Sequence, residues 1–178
     1  MAKIIFIGLF ILLFHRSFGQ SVQSPCVDCI PCIYLDEIGT RESGGANRGT
    51  RVEEYLDSAG GKPGQPWCAA FVKWVFDKAC IPTTINVYSP SAQNKKNLVW
   101  YKKKSYKSPV SGDVFCLYYP KLKRIGHTGF YHRAVNEKIY ESVEGNSNDG
   151  GSREGIGVFK LKKRSLNATY SISRWTKS

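Results

Sequence analysis

The chain has 178 residues, enough for one domain with a substantial core and too few for two comfortable ones. Lys and Arg outnumber Asp and Glu by 26 to 14, giving a formal net charge of +12 that suits an anionic polymer as partner. Its longest apolar run, Ile4 to Phe14, is too short to cross a bilayer as a helix.

Met1 to Gln20 reads as an export signal: Lys3 gives the positive start, Ile4 to Phe14 the apolar run, and Ser17-Phe18-Gly19 the small residues before a cut near Gly19/Gln20. The expectation is a secreted or periplasmic protein with no stable membrane insertion after cleavage. Export makes disulfides permissible. Residues 20–33 form a Cys-rich leader carrying Cys26, Cys29 and Cys32. These could supply three metal ligands but no obvious fourth, so no metal is assigned; a local disulfide, with one cysteine left to pair elsewhere, fits better. Cys80 and Cys116 could be core thiols or could be bridged to each other, and spacing alone leaves the connectivity open.

Residues 34–178 form the expected domain. Ile33 to Ile38 is a weak helical stretch, followed by a loop marked by Gly44-Gly45 and Asn47. Thr50 can cap a helix through Ala59, with Glu53 completing a capping box and Gly60-Gly61 stopping it. Gly64 to Pro66 then make a turn into a helix from Cys68 to about Ala79, where Cys68, Phe71, Val72, Val75 and Ala79 recur on one face. Ser89-Pro90-Ser91 looks like the start of a short helix. The rest of 81–107 reads as irregular and basic: Lys95, Lys96, Lys102, Lys103, Lys104 and Lys107 gather beside Trp100, Tyr101 and Tyr106, with no acid between Asp77 and Asp113. Such a run is most often a solvated face, and otherwise a binding stripe.

Beyond that point the period becomes extended. Val114 to Tyr119, Thr128 to Val135, Lys138 to Val143, Gly157 to Lys162 and Tyr170 to Trp175 read as strands, with a hairpin turn at Asn136-Glu137. Helices first and strands afterwards predict an α+β domain, N-terminal helices packed on an antiparallel sheet of about five strands.

Three positions could carry chemistry. Cys68 falls in the first turn of its helix, where free N–H groups and the helix dipole favour a thiolate. His127 and His132 are the histidines downstream of the signal. They lie five residues apart on one strand, so they point to opposite faces. His127, following Gly126 at the start of the strand, is chosen as the base. Glu144 and Asn146 follow the next strand and can point toward His127, one offering a carboxylate and the other an amide to fix the imidazole. Each also has a plainer reading: a buried Cys, a satisfied His, and a turn in Glu-Gly-Asn.

Four ordered blocks, Pro66-Trp67-Cys68-Ala69-Ala70-Phe71-Val72, Gly112-Asp113-Val114-Phe115, Gly126-His127-Thr128-Gly129-Phe130 and Val143-Glu144-Gly145-Asn146, resemble the cysteine, histidine-dependent amidohydrolase/peptidase (CHAP) family of the NlpC-type papain-like group. The similarity runs from about Ile38 to Trp175, including Ser173-Arg174-Trp175. The resemblance implies a papain-like fold and cleavage of amide bonds in peptidoglycan, as an N-acetylmuramoyl-L-alanine amidase or a peptidoglycan endopeptidase. Cys68 would be the nucleophile, His127 the base, and Glu144 with Asn146 the orienting groups. Gln65, Trp67, Trp100 and Tyr101 are candidates for substrate contact. No acidic calcium loop precedes Cys68 and no appended wall-binding domain is seen. We therefore expect no metal, no cofactor and no nucleic acid, and a monomer meeting cell-wall peptide through this domain. The alternative is a non-catalytic wall-binding module of the same fold, its support being the basic aromatic segment.

Overall fold

The computed structural model describes Cys26 and residues 29–148 and 155–176. The expected export signal lies outside them, and among the described residues no helix is long and apolar enough to cross a membrane.

The fold is α+β. Helices α1 (Ile30–Asp36), α2 (Thr50–Ser58) and α3 (Cys68–Lys78) come first. They are followed by strands β1 (Leu98–Tyr101), β2 (Lys104–Ser105), β3 (Val114–Tyr119), β4 (Arg124–Ala134), β5 (Ile139–Ser147), β6 (Gly157–Ser165) and β7 (Ser171–Ser173). The strands form one sheet in the order β2-β1-β7-β3-β4-β5-β6, every pairing antiparallel. Among the described residues the sheet thus has seven strands where the sequence suggested about five. The two additions, β1 and β2, lie in the basic stretch read as irregular. Their turn puts Lys102 and Lys103 at φ 46° and 68°, a conformation usually advertised by Gly or Asn, so no turn signal was there to read.

Other boundaries moved for identifiable reasons. Helix α1 begins at Ile30, inside the stretch read as a leader, because Ile30, Ile33 and Tyr34 are buried in the core. A Cys29–Cys32 disulfide closes its first turn, and Cys26 is tied to Cys80 beyond the end of α3. Cys68 and Cys116 remain free. Thr50 is the first residue of α2 rather than its cap, which is Gly49 at φ 124° with no side-chain bond; Glu53 pairs instead with Arg48. Strand β5 continues through Glu144, Gly145 and Asn146, which the sequence reading placed after the end of the strand, because it goes on pairing with β6 at Glu144↔Phe159 and Ser147↔Gly157.

Helix α3 is the centre of the packing. Its mostly apolar surface leaves eight of its residues buried, and Tyr55, Trp67, Phe71, Trp74, Phe76 and Phe130 meet around it edge to face or stacked. Helix α2 is fastened to α1 by Glu37, which accepts from Tyr55 Oη and pairs with Arg51 at 3.0 Å. A second apolar cluster, Val99, Phe115, Leu117, Tyr131, Tyr140 and Ile172, is built from strands alone. Arg174, just past β7, grips Asp113, just before the neighbouring strand β3, with two bonds of 2.8 Å. Trp175 Nε1 donates to Ala92 O at 3.1 Å.

Strand β5 passes α3 at Gly145. A Cβ there would stand 2.6 Å from Phe71 Cβ and 2.8 Å from Trp67 Cζ3, closer than packed carbons tolerate. Gly145→Ala is therefore expected to lower stability by roughly 1–3 kcal/mol, the usual cost of overpacking. Urea unfolding followed by tryptophan fluorescence measures it, and an unchanged midpoint would show that β5 can move away from α3 freely.

Candidate active site

Cys68 occupies the first helical position of α3, following Trp67, which has non-helical dihedrals. The N–H groups of a first helical turn have no intrahelical partner, so the sulfur sits at the positive end of the helix. Its Sγ is 3.4 Å from Ser89 Oγ, on the 3₁₀ turn Ser89–Ala92. Burial alone would raise the thiol pKa, but the neighbouring His127, helped by Ser89 and the Thr128 backbone, outweighs it and lowers the value.

His127 is brought there by a change in strand pairing. Strands β4 and β5 are in register only as far as Phe130↔Val143. His127 and Glu144 lie just beyond that last pair, and there side chains rather than backbone groups bridge the strands. His127 Nε2 lies 2.8 Å from Glu144 Oε2. Nδ1 is buried and makes no hydrogen bond in this state, while the Cys68 thiol is, of the neighbouring groups, the one that raises the ring's proton affinity most. Contacts between catalytic groups are often long before substrate binds. Burial by itself would lower the His127 pKa; Cys68 and Glu144 together overcome it and push it up to about 9. His132, the other histidine of β4, is not in the site: its Nδ1 is 3.0 Å from Tyr34 Oη of α1.

Glu144 is wholly buried, and every side of its carboxylate is occupied. Oε1 accepts from Ser142 Oγ at 2.5 Å and from Arg164 Nε at 2.7 Å; Oε2 accepts from Arg164 Nη2 at 2.5 Å besides facing the imidazole. Burial would raise its pKa, but His127 and Arg164 hold it well below the usual carboxylate range. Arg164 was not singled out from the sequence. It lies in the run Lys160-Leu161-Lys162-Lys163-Arg164, which looks like any basic strand end, and only the β5–β6 register, Tyr140↔Arg164, turns it toward Glu144.

Asn146 does not touch His127, and the expectation that it helps orient the imidazole is corrected. At φ 51° the strand twists there, and in the orientation its partners require the carboxamide oxygen accepts from Trp67 N at 3.1 Å while its nitrogen donates to Gly155 O at 3.0 Å. It holds the backbone immediately before Cys68. The substrate-contact candidates also divide. Trp67 is fully buried, with Nε1 donating to Glu42 at 2.8 Å, and presents no surface to a substrate. Trp100 and Tyr101 lie on β1, separated from β4 by β7 and β3, and do not reach the site. Gln65 does: with Pro66, Val87, Tyr88, Ser89, Arg124 and Gly126 it lines a cleft of roughly 220 Å³. A larger cleft of about 570 Å³ lies between residues 43–49 and α2, but it contains none of the reactive groups.

The cleft reaches Ser89, which touches the sulfur, yet Cys68 itself is only 2 % exposed. The thiol lies just below the cleft floor rather than in an open groove. Cys116, the other free cysteine, is an inert core thiol, its pKa pushed up to about 12 by burial. Among the described residues, no group of three or more His, Cys, Asp or Glu is arranged to hold a metal ion. No family model, curated protein or solved structure matches the chain.

The shifts define a window. A thiolate beside an imidazolium exists from the lowered Cys68 pKa up to the His127 pKa of about 9, and is lost above it as the ring gives up its proton. The rate of iodoacetamide alkylation of Cys68 should reach its plateau at lower pH than for an ordinary thiol. Glu144→Gln removes the negative charge that sustains the imidazolium, so the plateau should move to higher pH. Profiles that superimpose would mean that the carboxylate does not act on the pair. Because breaking a buried ion pair leaves one charge uncompensated, Arg164→Ala should cost roughly 3–5 kcal/mol in unfolding free energy.

Proposed function

We propose that this chain is a cysteine hydrolase that cleaves amide bonds, with the papain-like fold of the CHAP family and peptidoglycan peptide as its substrate. The observation that carries the reading is the Cys68, His127 and Glu144 alignment: a thiol of lowered pKa at a helix N-terminus, an imidazole beside it, and a carboxylate 2.8 Å behind that ring. The α+β architecture, with helices preceding an antiparallel sheet, fits that family without deciding it. The four ordered sequence blocks supply the family and the substrate class.

In this reading the Cys68 thiolate attacks the amide carbon while its own N–H, free at the first helical position, donates to the developing oxyanion. The His127 imidazolium gives its proton to the departing amine and becomes the neutral base. Water, deprotonated by that base, then attacks the thioester and releases the acid. Glu144 keeps the ring in the tautomer that offers Nδ1 to sulfur, and Asn146 keeps Trp67 and the start of α3 in place.

The near-complete burial of Cys68 favours a second reading, a wall-binding module that keeps the fold without turnover. Purified sacculi separate the two. Cys68→Ala, with its fold checked by circular dichroism, is expected to lower release of muropeptides by about a thousandfold or more, as loss of a nucleophile does elsewhere. Native-rate digestion by Cys68→Ala would end the hydrolase reading, and sacculus binding without digestion by the unaltered protein would establish the module. Mass spectrometry of the released fragments distinguishes an amidase from an endopeptidase.

A further inference from the structure

Arg124 opens β4 three residues before His127. Its guanidinium carbon stands 4.9 Å over the Tyr88 ring, and its Nη1 donates to Ile125 O at 2.9 Å. No carboxylate among the described residues lies within ion-pair distance of it. Along the sequence, no acid occurs between Asp113 and Glu137. The stacking platform is held firmly. Tyr88 N donates to Asn86 Oδ1 at 2.9 Å, and Tyr88 O accepts from Ser91 Oγ at 2.7 Å.

Arg124 and Tyr88 line the same cleft as Gln65 and Ser89. Gln65 Oε1 already accepts from Lys62 N at 2.6 Å, which leaves its amide nitrogen as the donor still available to a ligand. Ser89 carries the cleft to the nucleophile, its Oγ 3.4 Å from Cys68 Sγ. The cleft therefore joins an unpaired, stacked guanidinium to the reactive sulfur. Stacking restricts the side chain in advance, so less freedom is lost when it binds, and its planar fork matches a carboxylate with two parallel bonds.

We propose that Arg124, backed by Tyr88 and flanked by Gln65, is a subsite that reads a free carboxylate on the peptide substrate close to the scissile amide. The inference rests on the hydrolase reading for the identity of the substrate as a peptide. It adds that the substrate is acidic and that this charge is recognised on the Arg124 side of Cys68.

The test separates binding from turnover by using the Cys68→Ala protein. Its affinity for a disaccharide-tetrapeptide muropeptide with free carboxylates is measured by calorimetry beside that for the fully amidated form. The free form should bind about ten- to a hundredfold more tightly, the span expected of a hydrogen-bonded charge pair. Arg124→Gln in the same background should bring the ratio close to one, and Arg124→Lys should restore part of it; matched circular dichroism melts show that the variants fold. Two singly amidated muropeptides, blocked at an internal or at the C-terminal carboxylate, tell which group is read, by which amidation lowers affinity. Equal affinity for free and amidated forms, a preference that survives Arg124→Gln, or no binding of either at millimolar concentration overturns the subsite. Turnover by the unaltered protein is assayed separately. A carboxylate preference without turnover ends the hydrolase reading alone, and turnover without preference ends the subsite alone.

Discussion

The buried carboxylate of Glu144 is the constraint on which the arrangement around it depends. A charge with no access to water is tolerated only when it is paired and fully hydrogen-bonded. Here Arg164 donates to both oxygens and Ser142 to one, while Oε2 also accepts from Ser147 Oγ at 3.4 Å and faces His127. The guanidinium keeps the carboxylate ionised. The carboxylate helps the imidazole to stay protonated, and the imidazolium draws the Cys68 proton away. Counted together, two cations and two anions sit in one low-dielectric pocket, so the zwitterionic form of the thiol and imidazole adds no net charge to the interior.

The backbone is shaped to permit this. Strands β4 and β5 stop pairing at Phe130↔Val143, which leaves room for side chains to meet beyond it. Over the next three residues β5 does three different things. Glu144 turns to His127, Gly145 lets the strand lie against Phe71 of α3, and Asn146, in a left-handed conformation, holds Trp67 N just before the nucleophile. The sulfur, the ring and the carboxylate are thus fixed relative to one another by a single short stretch of strand. Asp113 and Arg174, drawn from two further stretches of the sequence, tie the adjacent strands β3 and β7 together by a second two-bonded ion pair.

Much of this could be read from residue order alone. The helix starting at Cys68, the two strands adjoining His127 and Glu144, and the α+β order all follow from periodicity, though both strands run further than the pattern suggested and take in His127 and Glu144; among the two histidines the one after Gly126 is the one beside Cys68. What was not legible depends on register or on conformations without a local signature. Arg164 is recognisable only once β6 is laid against β5, and Asn146 was assigned the wrong neighbour because a strand period of two ignores the twist at its positive φ. The β1–β2 hairpin was hidden by a Lys-Lys turn. Trp67 was expected to meet substrate, yet its indole fills the core against Tyr55, leaving the cleft to Gln65, Tyr88 and Arg124.

The central claim is that Cys68 and His127 form an ion pair sustained by Glu144. The most direct measurement is the titration of the His127 ring by nuclear magnetic resonance, in the unaltered protein and in Cys68→Ala. The account requires an imidazolium that persists to about pH 9 in the unaltered protein and titrates at clearly lower pH when the thiol is gone. A ring that titrates near 6.5, the ordinary value, in both proteins would contradict it.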